Sequence, residues 1–383
     1  MSFALALLLL ALLLGSWVYL LMIVAAARKW IAYRGALPSE PRPSGSGPGP
    51  GVSILKPLAG LDEGLESNLR TFFTQDFPHF EILFAVRTPQ DPAIAVVERL
   101  RTEFPQVPSQ LIFTGEPPYP NAKVYSLDKM MVAAAHDLLV MSDSDIRVDR
   151  TMLSKVAAEF AADPKLGVAT CPYRAIAGAS IWSQLEAVGM NTEFFGGVLV
   201  ARMLEGMKFA VGPTIVARKR ALQAIGGFDR LKDYLAEDFV MGQFASEAGW
   251  GVILSSYVVE HRIGSETWSK NAAHRIRWAR STRRSRPAGY LGQLFTNPVP
   301  IALALAVVAP EWWPQLIVTA ALRAMAAWVV ARQVLGTRVR WGLLIPQDLL
   351  SFVFWVAGFF GNSIEWRGRR YRLQKDGTFT LEK

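Results

Sequence analysis

Apolar residues are distributed differently at the two ends of the chain and in its middle. Residues 3–27 contain no charge and are long enough to cross a bilayer as a helix. From about residue 297 the chain is apolar again, in stretches at 300–313, 315–335 and 343–364. Between these ends, short apolar runs alternate with amphipathic segments, a pattern typical of a soluble α/β domain.

The central pattern predicts strands that alternate with helices. Strands are predicted at 52–55, 80–86 and 110–113, helices at 65–73, 93–104 and 122–135, and a fourth strand that ends at Asp143. Such alternation implies a mostly parallel sheet, in which ligands bind beyond the C-terminal ends of the strands. Residues that directly follow the strands are therefore the first candidates for a site.

An Asp-x-Asp pair follows the fourth strand. Asp143 and Asp145 come at the end of the largely apolar run 139–142. Two carboxylates at this spacing suit Mg²⁺ or Mn²⁺, ions that commonly accompany a diphosphate. Because the same pair also occurs in ordinary turns and helix caps, it indicates a metal site only together with other motifs.

A second acidic group lies further along, at Glu237 and Asp238. In a transfer to a hydroxyl, Asp238 would act as the general base that takes the hydroxyl proton. The alternative is that both residues begin a helix and complement its dipole. Taken alone, the pair favours the helix interpretation.

A basic segment with six arginines lies between residues 274 and 286. On a helix, Arg277, Arg280 and Arg284 share one face by their three-to-four spacing, and arginine forks match the oxygens of a diphosphate. The alternative is a juxtamembrane helix held on anionic lipid. Both hold if Arg277 faces the site and the later arginines face lipid headgroups.

Three further positions are weaker candidates. Asp91 follows the second strand and is placed to face a base or ribose, or else it forms a turn before proline. Lys123, at a helix start, is placed to meet phosphate, or else it is a surface lysine. The four histidines lack metal-ligand spacing, and His261 is at best a weak active-site candidate.

Composition narrows the class of protein. The chain has 383 residues, 51% of them apolar, which fits one large or two ordinary domains joined to membrane segments. Its 41 basic and 32 acidic residues give a net charge of +9, as the positive-inside rule expects of a cytoplasmic membrane protein. Nucleic-acid binding is disfavoured, and no obligate protein partner is indicated. The single Cys171 excludes an internal disulfide.

The N-terminal apolar segment, residues 1–27, is interpreted as an uncleaved anchor. A signal peptide is the alternative, but the first residues carry no Lys or Arg and the apolar run exceeds an ordinary signal core. Arg28, Lys29 and Arg34 place the C-terminal end of the anchor in the cytoplasm, at an inner membrane. The other predicted regions are a flexible linker at 28–51, a cytoplasmic catalytic domain at 52–290 and a membrane region with a basic tail at 291–383.

The C-terminal apolar stretches are interpreted as a pair of spans and a segment that does not cross. If 300–313 and 315–335 both cross, the chain returns to the cytoplasm near Arg338. A further crossing would carry the basic tail outside, against the positive-inside rule. Residues 343–364 are therefore expected to be re-entrant or to lie in the interface.

These motifs, in this order, resemble those of the ceramide glucosyltransferase family, glycosyltransferase family 21. The likeness runs from Val52 to about Trp278, with blocks at 91–94, 143–148, 236–238 and 277–278 and a weaker echo at 368–373. One departure is visible, because His274 stands where that family has Gln or Arg. The sequence also resembles the bacterial hopanoid-associated branch, which is similar to N-acetylglucosaminyl transferases acting on a hopanoid polyol.

The resemblance implies a GT-A fold and an inverting, metal-dependent transfer from a UDP-sugar donor to a hydroxyl of a membrane lipid. It assigns the base to Asp238 and the metal, Mg²⁺ or Mn²⁺, to Asp145. Nucleotide binding falls to Asp91 and Asp143. The full set of predicted substrate-binding residues is Lys56, Asp91, Lys123, Asp143, His274, Arg277 and Trp278.

Two other functions fit part of the sequence. A processive polysaccharide synthase shares the acidic and Arg-Trp motifs, but it needs a channel of several spans, and two or three candidate spans are too few. A non-catalytic membrane scaffold or lipid-binding protein is the alternative of another class, and it predicts no effect of Asp238→Asn on lipid products. The sequence leaves open glucose or N-acetylglucosamine as the sugar, and a hopanoid polyol or ceramide as the lipid.

Overall fold

The computed structural model describes residues 2–37, 51–366 and 368–382. The chain forms two compact units. The sheet unit comprises Arg34–Tyr173 and Met207–Gly264, and the helical unit comprises Met1–Tyr33, Arg174–Gly206 and Ser265–Lys383. Residues 52–290, which the sequence assigns to one domain, therefore contribute to both units.

Strands and helices alternate through the first half of the chain. In chain order the elements are α1 (Ser2–Ala36), β1 (Val52–Pro57), α2 (Leu65–Phe73), β2 (Phe80–Val86), α3 (Ala93–Glu103), β3 (Ser109–Phe113), α4 (Ala122–Ala133), β4 (Leu138–Ser142), β5 (Ile146–Arg147), α5 (Met152–Ala162), β6 (Leu166–Thr170) and β7 (Tyr173–Ala177). For β1 to β4 and α2 to α4, these bounds lie close to the predicted ones.

Helices dominate the second half. Its elements are α6 (Ile181–Gly189), α7 (Phe195–Glu205), β8 (Thr214–Arg218), α8 (Lys219–Ala224), α9 (Glu237–Glu247), β9 (Gly251–Leu254), β10 (Val259–Gly264), α10 (Trp268–Ser285), α11 (Pro287–Gly292), α12 (Pro298–Val308), α13 (Pro314–Trp328), α14 (Leu344–Ala357), β11 (Ser363–Trp366), β12 (Arg369–Leu373) and β13 (Phe379–Leu381). Turns of π-helix continue α6 at Met190–Phe194 and α13 at Val329–Val334. Turns of 3₁₀-helix lie at Phe228–Leu231, Gln293–Thr296, Pro310–Trp312 and Trp341–Leu343.

The sheet unit is built on seven strands in the order β3-β2-β1-β4-β8-β6-β9. Neighbouring strands are parallel except that β8 runs antiparallel to β4 and to β6. In the middle of the sheet, Ile54 of β1 lies opposite Ile82 of β2 and Val140 of β4. The predicted α/β fold with a mostly parallel sheet is confirmed.

Apolar helix faces cover this sheet. On α4, Val124, Leu127 and Met131 recur at three-to-four spacing and join a core cluster with Leu55 and Leu83 of the strands. β1 and β4 are buried along their whole length, which explains why they appear in the sequence as apolar runs without alternation. The buried end of β4 fixes where the residues that follow it lie.

β1 extends beyond its predicted end at residue 55. The strand continues through Lys56, which is paired with Phe84 of β2. A fully buried lysine is uncommon, but the Nζ of Lys56 donates to the hydroxyl of Ser142 and to the carbonyl of Asp143. These hydrogen bonds offset the loss of water, so the charge does not end the strand.

α1 is longer than the predicted anchor. It runs to Ala36, so residues 28–36 are helical and do not begin a flexible linker. Trp30 is fully buried, and such packing stabilises the helix beyond its charged residues. The part of the predicted linker at 38–50 lies outside the described residues.

Among the described residues, two helices are long and apolar enough to cross a membrane, Phe3–Ala36 and Pro314–Val334. The predicted span at 300–313 is not one helix, because α12 has 11 residues and a rise of about 16 Å, short of a hydrocarbon core of about 30 Å. A third span would need two helical segments taken together, Pro287–Thr296 and Pro298–Val308. Together they are long and apolar enough to cross a membrane, but the chain bends by 57° between them.

The segment after these helices contains a short helix and a small sheet. α14 has 14 residues, fewer than the roughly 20 of a typical crossing helix, and that this segment does not cross stays a prediction. β11, β12 and β13 then form an antiparallel sheet that begins at the end of the predicted apolar stretch 343–364 and continues through the basic tail. In β12, Tyr371 and Leu373 are buried whereas Arg370 and Arg372 are exposed, so the tail contains a strand with alternating faces.

Candidate active site

The Asp-x-Asp pair lies directly after β4, where the sequence placed it. The backbone N–H of Asp143 donates to the carbonyl of Pro213 at 2.9 Å. The side-chain amide of Asn68 donates to the carbonyl of Ser144 at 3.4 Å. The turn is therefore anchored from two sides, and each of its two carboxylates has its own partners.

Lys123 lies between two carboxylates. Its Nζ is 2.8 Å from Oδ1 of Asp143 and 3.3 Å from Oε1 of Glu237. Asn121 caps α4 by accepting the N–H of Val124, and this places Lys123 at the start of the helix. Burial lowers the pKa of Lys123, but Asp143 and Glu237 together raise it above the ordinary lysine value. Lys123 is therefore a charged group held in the site and not a surface lysine.

Lys56 supports the same turn from within the core. Its Nζ donates to Oγ of Ser142 at 3.1 Å and to the carbonyl of Asp143 at 2.7 Å, and lies 3.6 Å from the centre of the Phe72 ring. Burial lowers the pKa of Lys56 to about 7, against the raising effect of Asp143 and Asp145. These contacts hold the backbone of Asp143 in place, and binding of substrate by Lys56 stays a prediction.

Asp145 is paired with a histidine. Its Oδ2 lies 3.0 Å from Nε2 of His261, and its carbonyl accepts the N–H of Arg262 at 2.8 Å. Burial raises the pKa of Asp145, but His261, Lys56 and Lys123 lower it below its usual range. The other oxygen, Oδ1, is buried and has no hydrogen-bond partner within the described part of the chain. A buried carboxylate oxygen of this kind suits a hard cation.

Asp238 lies in the first turn of α9, next to Glu237. Its Oδ2 accepts the N–H of Gly212 at 2.6 Å and its Oδ1 accepts the N–H of Phe239 at 2.8 Å. Gly212 has a φ of +54°, a left-handed conformation that favours glycine. Burial and then the charge of Glu237 raise the pKa of Asp238 to about 6, against the lowering effect of these N–H groups and of Lys123. Asp238 is therefore a stronger base than an ordinary aspartate.

Asp91 connects two segments beyond the ends of β1 and β2. Each of its carboxylate oxygens accepts the N–H of Gly60 at 3.1 Å, and Oδ1 also accepts the N–H of Ala93 at 2.9 Å at the start of α3. The turn-forming role is therefore seen in the structure. The contact of Asp91 with a nucleotide stays a prediction.

The other predicted site residues belong to the helical unit, where α10 carries His274, Arg277 and Trp278. The ring of Trp278 is centred 4.8 Å from that of His274 and 5.8 Å from that of Phe194. Nδ1 of His274 lies 2.9 Å from Oε1 of Glu186. The histidine that replaces the Gln or Arg of the resembled family is thus paired with a buried carboxylate.

The later arginines of α10 bind protein groups of the same unit. Arg280 and Arg283 donate to backbone carbonyls within residues 359–363, and Arg284 donates to the side chain of Asn362. This segment follows the end of α14, where carbonyl groups lack helical donors. These arginines therefore bind protein groups, and their facing lipid headgroups stays a prediction.

One family model covers nearly the whole chain. The model of Glycosyl transferase family 21 matches residues 8–379. The chain belongs to this family. Membership in family 21 confirms the resemblance indicated by the ordered motifs.

Relatives of this family-21 chain include two named ceramide glucosyltransferases. It is 30% identical over 232 residues to Ceramide glucosyltransferase 1 of Caenorhabditis elegans, which is 60% of this chain and 48% of that protein. It is 36% identical over 109 residues to the Ceramide glucosyltransferase of Komagataella phaffii, which is 27% of this chain and 21% of that protein. The chain spans about half or less of the length of these relatives.

A solved structure resembles this family-21 chain along its length. The mannosyltransferase PcManGT from Pyrobaculum calidifontis, in complex with GDP-Man and Mn²⁺, superposes with a TM-score of 0.53 at 18% identity, covering 94% of this chain and 99% of that chain. At this identity the likeness establishes the fold alone. The family-21 chain therefore has a GT-A type fold, as predicted.

Two residues of this site received little or no weight from the sequence, His261 and Glu237. Glu237 was noted only as the neighbour of Asp238, and its pairing with Lys123 joins two distant segments. His261 is buried in β10 together with Val259, an alternation that is visible in the sequence. Its approach to Asp145 depends on the pairing of β10 with β5, which no local pattern reveals.

Proposed function

We propose that this family-21 chain is a membrane-bound inverting glycosyltransferase. It would move N-acetylglucosamine or glucose from a UDP-sugar to a hydroxyl of a membrane lipid, a hopanoid polyol or a ceramide. The observation that carries the proposal is a set of three carboxylates in the sheet unit that are held differently. Asp143 is paired with a lysine, Asp145 with a histidine and Asp238 with backbone N–H groups. The names of the relatives support a lipid acceptor.

The donor is proposed to lie across the C-terminal ends of β1, β2 and β4. Asp91 and Asp143 would contact the nucleotide, and Lys123 would place its charge beside a phosphate. Lys56 acts through Asp143, whose carbonyl it holds. The family motif implies diphosphate binding by Arg277 and Trp278 of α10, with His274 beside them, and this role is kept as a proposal.

A divalent ion, Mg²⁺ or Mn²⁺, fits at Asp145. The fit rests on the buried Oδ1 of this carboxylate, which has no partner among residues that the structure describes, and on the adjacent imidazole of His261. Asp145 is the proposed ligand, and His261 orients its carboxylate through Oδ2. When bound, the ion supplies positive charge that neutralises the diphosphate of the leaving nucleotide.

Asp238 is the proposed general base. As the acceptor oxygen bonds to C1 of the sugar, the carboxylate takes the hydroxyl proton. The bond between C1 and the diphosphate oxygen breaks, and its electron pair leaves on UDP. Attack from the face opposite UDP inverts the configuration at C1. The N–H groups of Gly212 and Phe239 fix the orientation of the carboxylate.

The chain is further proposed to be a multi-pass protein of the inner membrane with its catalytic residues in the cytoplasm. Candidate spans at Phe3–Ala36 and Pro314–Val334 support membrane attachment. The orientation follows from the basic residues Arg28, Lys29 and Arg34 near the end of the first helix. The acceptor would then enter from the bilayer.

Product analysis tests the proposed function. Purified full-length protein in lipid vesicles is incubated with UDP-glucose or UDP-N-acetylglucosamine and with ceramide or a hopanoid polyol. We expect mass spectrometry to show one lipid heavier by a single hexose or N-acetylhexosamine. A sugar polymer would instead identify a polysaccharide synthase. No transfer from either donor to either lipid by folded protein would favour a non-catalytic lipid-binding protein.

The pKa of Asp238 predicts how transfer depends on pH. Only the deprotonated carboxylate takes a proton, so the rate should rise as the pH increases through about 6 and then level off. Glu237→Gln removes a charge that raises this pKa, and it should move the acidic limb down by roughly one pH unit. Initial rates of both proteins across this range measure the shift. An acidic limb that stays in place in Glu237→Gln would contradict the assignment of that limb to Asp238.

A further inference from the structure

Three side chains of metal-ligating type lie together in the helical unit. Glu186 is on α6, Glu266 precedes α10, and His274 is on α10. One ligand atom from each lies within 4.8 Å of the other two. The closest pair is Nδ1 of His274 and Oε1 of Glu186, at 2.9 Å. This cluster belongs to a different unit from Asp145, at which the proposed function places its ion.

A fourth polar residue adds an independent indication of a ligand. Asn271 is fully buried, and its Nδ2 donates to Oε2 of Glu186. Its Oδ1 is a buried acceptor for which the described residues supply no donor, and the same holds for Oε2 of Glu266. Asn271 and His274 are three positions apart and therefore share a face of α10. Two buried acceptors without donors, on residues that adjoin a carboxylate–imidazole pair, call for a group that accepts lone pairs.

The charges of the cluster point to a cation. Two carboxylates with one imidazole leave a negative excess, and Glu186 is 5% exposed, so water screens that charge poorly. Imidazole nitrogen combined with carboxylate oxygen suits Zn²⁺ and other transition ions, whereas Mg²⁺ and Ca²⁺ prefer oxygen alone. With the amide oxygen of Asn271 the cluster offers four donor atoms, the number that Zn²⁺ takes in closed sites.

We propose that Glu186, Glu266 and His274, with Oδ1 of Asn271, bind one divalent transition-metal ion, for which Zn²⁺ is the best match. The ion would join α6 to α10, the helix that carries Arg277 and Trp278, and would fix their orientation. The site requires the histidine at position 274. Members of family 21 that have Gln or Arg at this position lack the imidazole nitrogen that would bind the ion.

Metal content of the purified full-length protein tests this proposal. The protein is prepared without a polyhistidine tag, stripped with a chelator, dialysed against Zn²⁺ and analysed by elemental mass spectrometry. We expect one Zn²⁺ per chain in the unmodified protein and in Asp145→Asn, and its loss in His274→Gln. His274→Gln introduces the residue usual in the family, so the fold should persist. His79→Gln, at an exposed histidine of the sheet unit, is the matched control and should keep the ion.

A second measurement keeps the test independent of activity. Added Zn²⁺ should raise the thermal unfolding temperature of the unmodified protein and of His79→Gln, but not that of His274→Gln. Absence of Zn²⁺ from the unmodified protein, or equal content in all variants, would overturn the proposal. Loss of the ion in Asp145→Asn with retention in His274→Gln would also overturn it, because the ion would then belong to the Asp-x-Asp pair.

Discussion

Replacing Asp238 with asparagine is expected to slow sugar transfer severely while the protein stays folded. The amide has nearly the shape of the carboxylate, and its oxygen can still accept the N–H of Gly212 or of Phe239, which costs about one hydrogen bond, or roughly 1 kcal/mol. It has no basic oxygen for the hydroxyl proton. Loss of a general base lowers rates by about 10²–10⁴-fold, so kcat should fall by such a factor. The measurement is the initial rate of glycolipid formation at saturating donor and acceptor.

Asp229→Asn is the matched control for this variant. This variant makes the same chemical change at an exposed carboxylate, because the side chain of Asp229 is 81% exposed. Within the described structure its ion pair is with Lys232, at 2.8 Å. We expect Asp229→Asn to keep full activity and both variants to unfold at a similar temperature. Full activity in Asp238→Asn would make the base assignment wrong. If both variants lost the same activity, the loss would have a cause other than the missing proton transfer.

The local parts of the fold and site were predictable because short-range patterns specify them. The helix Leu65–Phe73 and the strand Phe80–Val86 have the bounds that the sequence predicted. Asp143 and Asp145 follow β4 as predicted, since a buried strand is an apolar run and ends where polar residues begin. Asp238 was recognised from its place in an ordered set of motifs rather than from its own surroundings.

The partners of these residues were not predictable, because they come from distant parts of the chain. His261 lies 116 positions from Asp145 and reaches it only through the pairing of β10 with β5. Lys123 likewise contacts Asp143 and Glu237 only because the fold brings three distant segments of the chain together. The sequence also predicted that β1 ends before Lys56, because a lysine is usually exposed. The sequence does not show that two oxygen atoms accept hydrogen bonds from its Nζ in the core.

The C-terminal helices contain the other change with a large expected effect, Arg323→Met. Arg323 of α13 and Asp348 of α14 are 4% and 1% exposed and form two hydrogen bonds, Nε to Oδ2 at 2.8 Å and Nη2 to Oδ1 at 2.7 Å. Nη2 also donates to the hydroxyl of Thr192 at 3.0 Å. Removing the arginine leaves a buried aspartate without its cation, which costs about 3–5 kcal/mol. Denaturant unfolding in mixed micelles measures this loss.

The double variant Arg323→Met with Asp348→Val separates the cost of an unpaired charge from the value of the pair itself. Both charges are then absent and the volumes are similar, so most of the lost stability should return. Arg332→Met, at an exposed arginine near the end of the same helix, should stay within about 0.5 kcal/mol of the unmodified protein. A double variant as unstable as Arg323→Met would show that the pair is needed for shape and not only for charge balance. Because Arg323 and Asp348 lie on different helices, we expect this pair to hold α14 against α13.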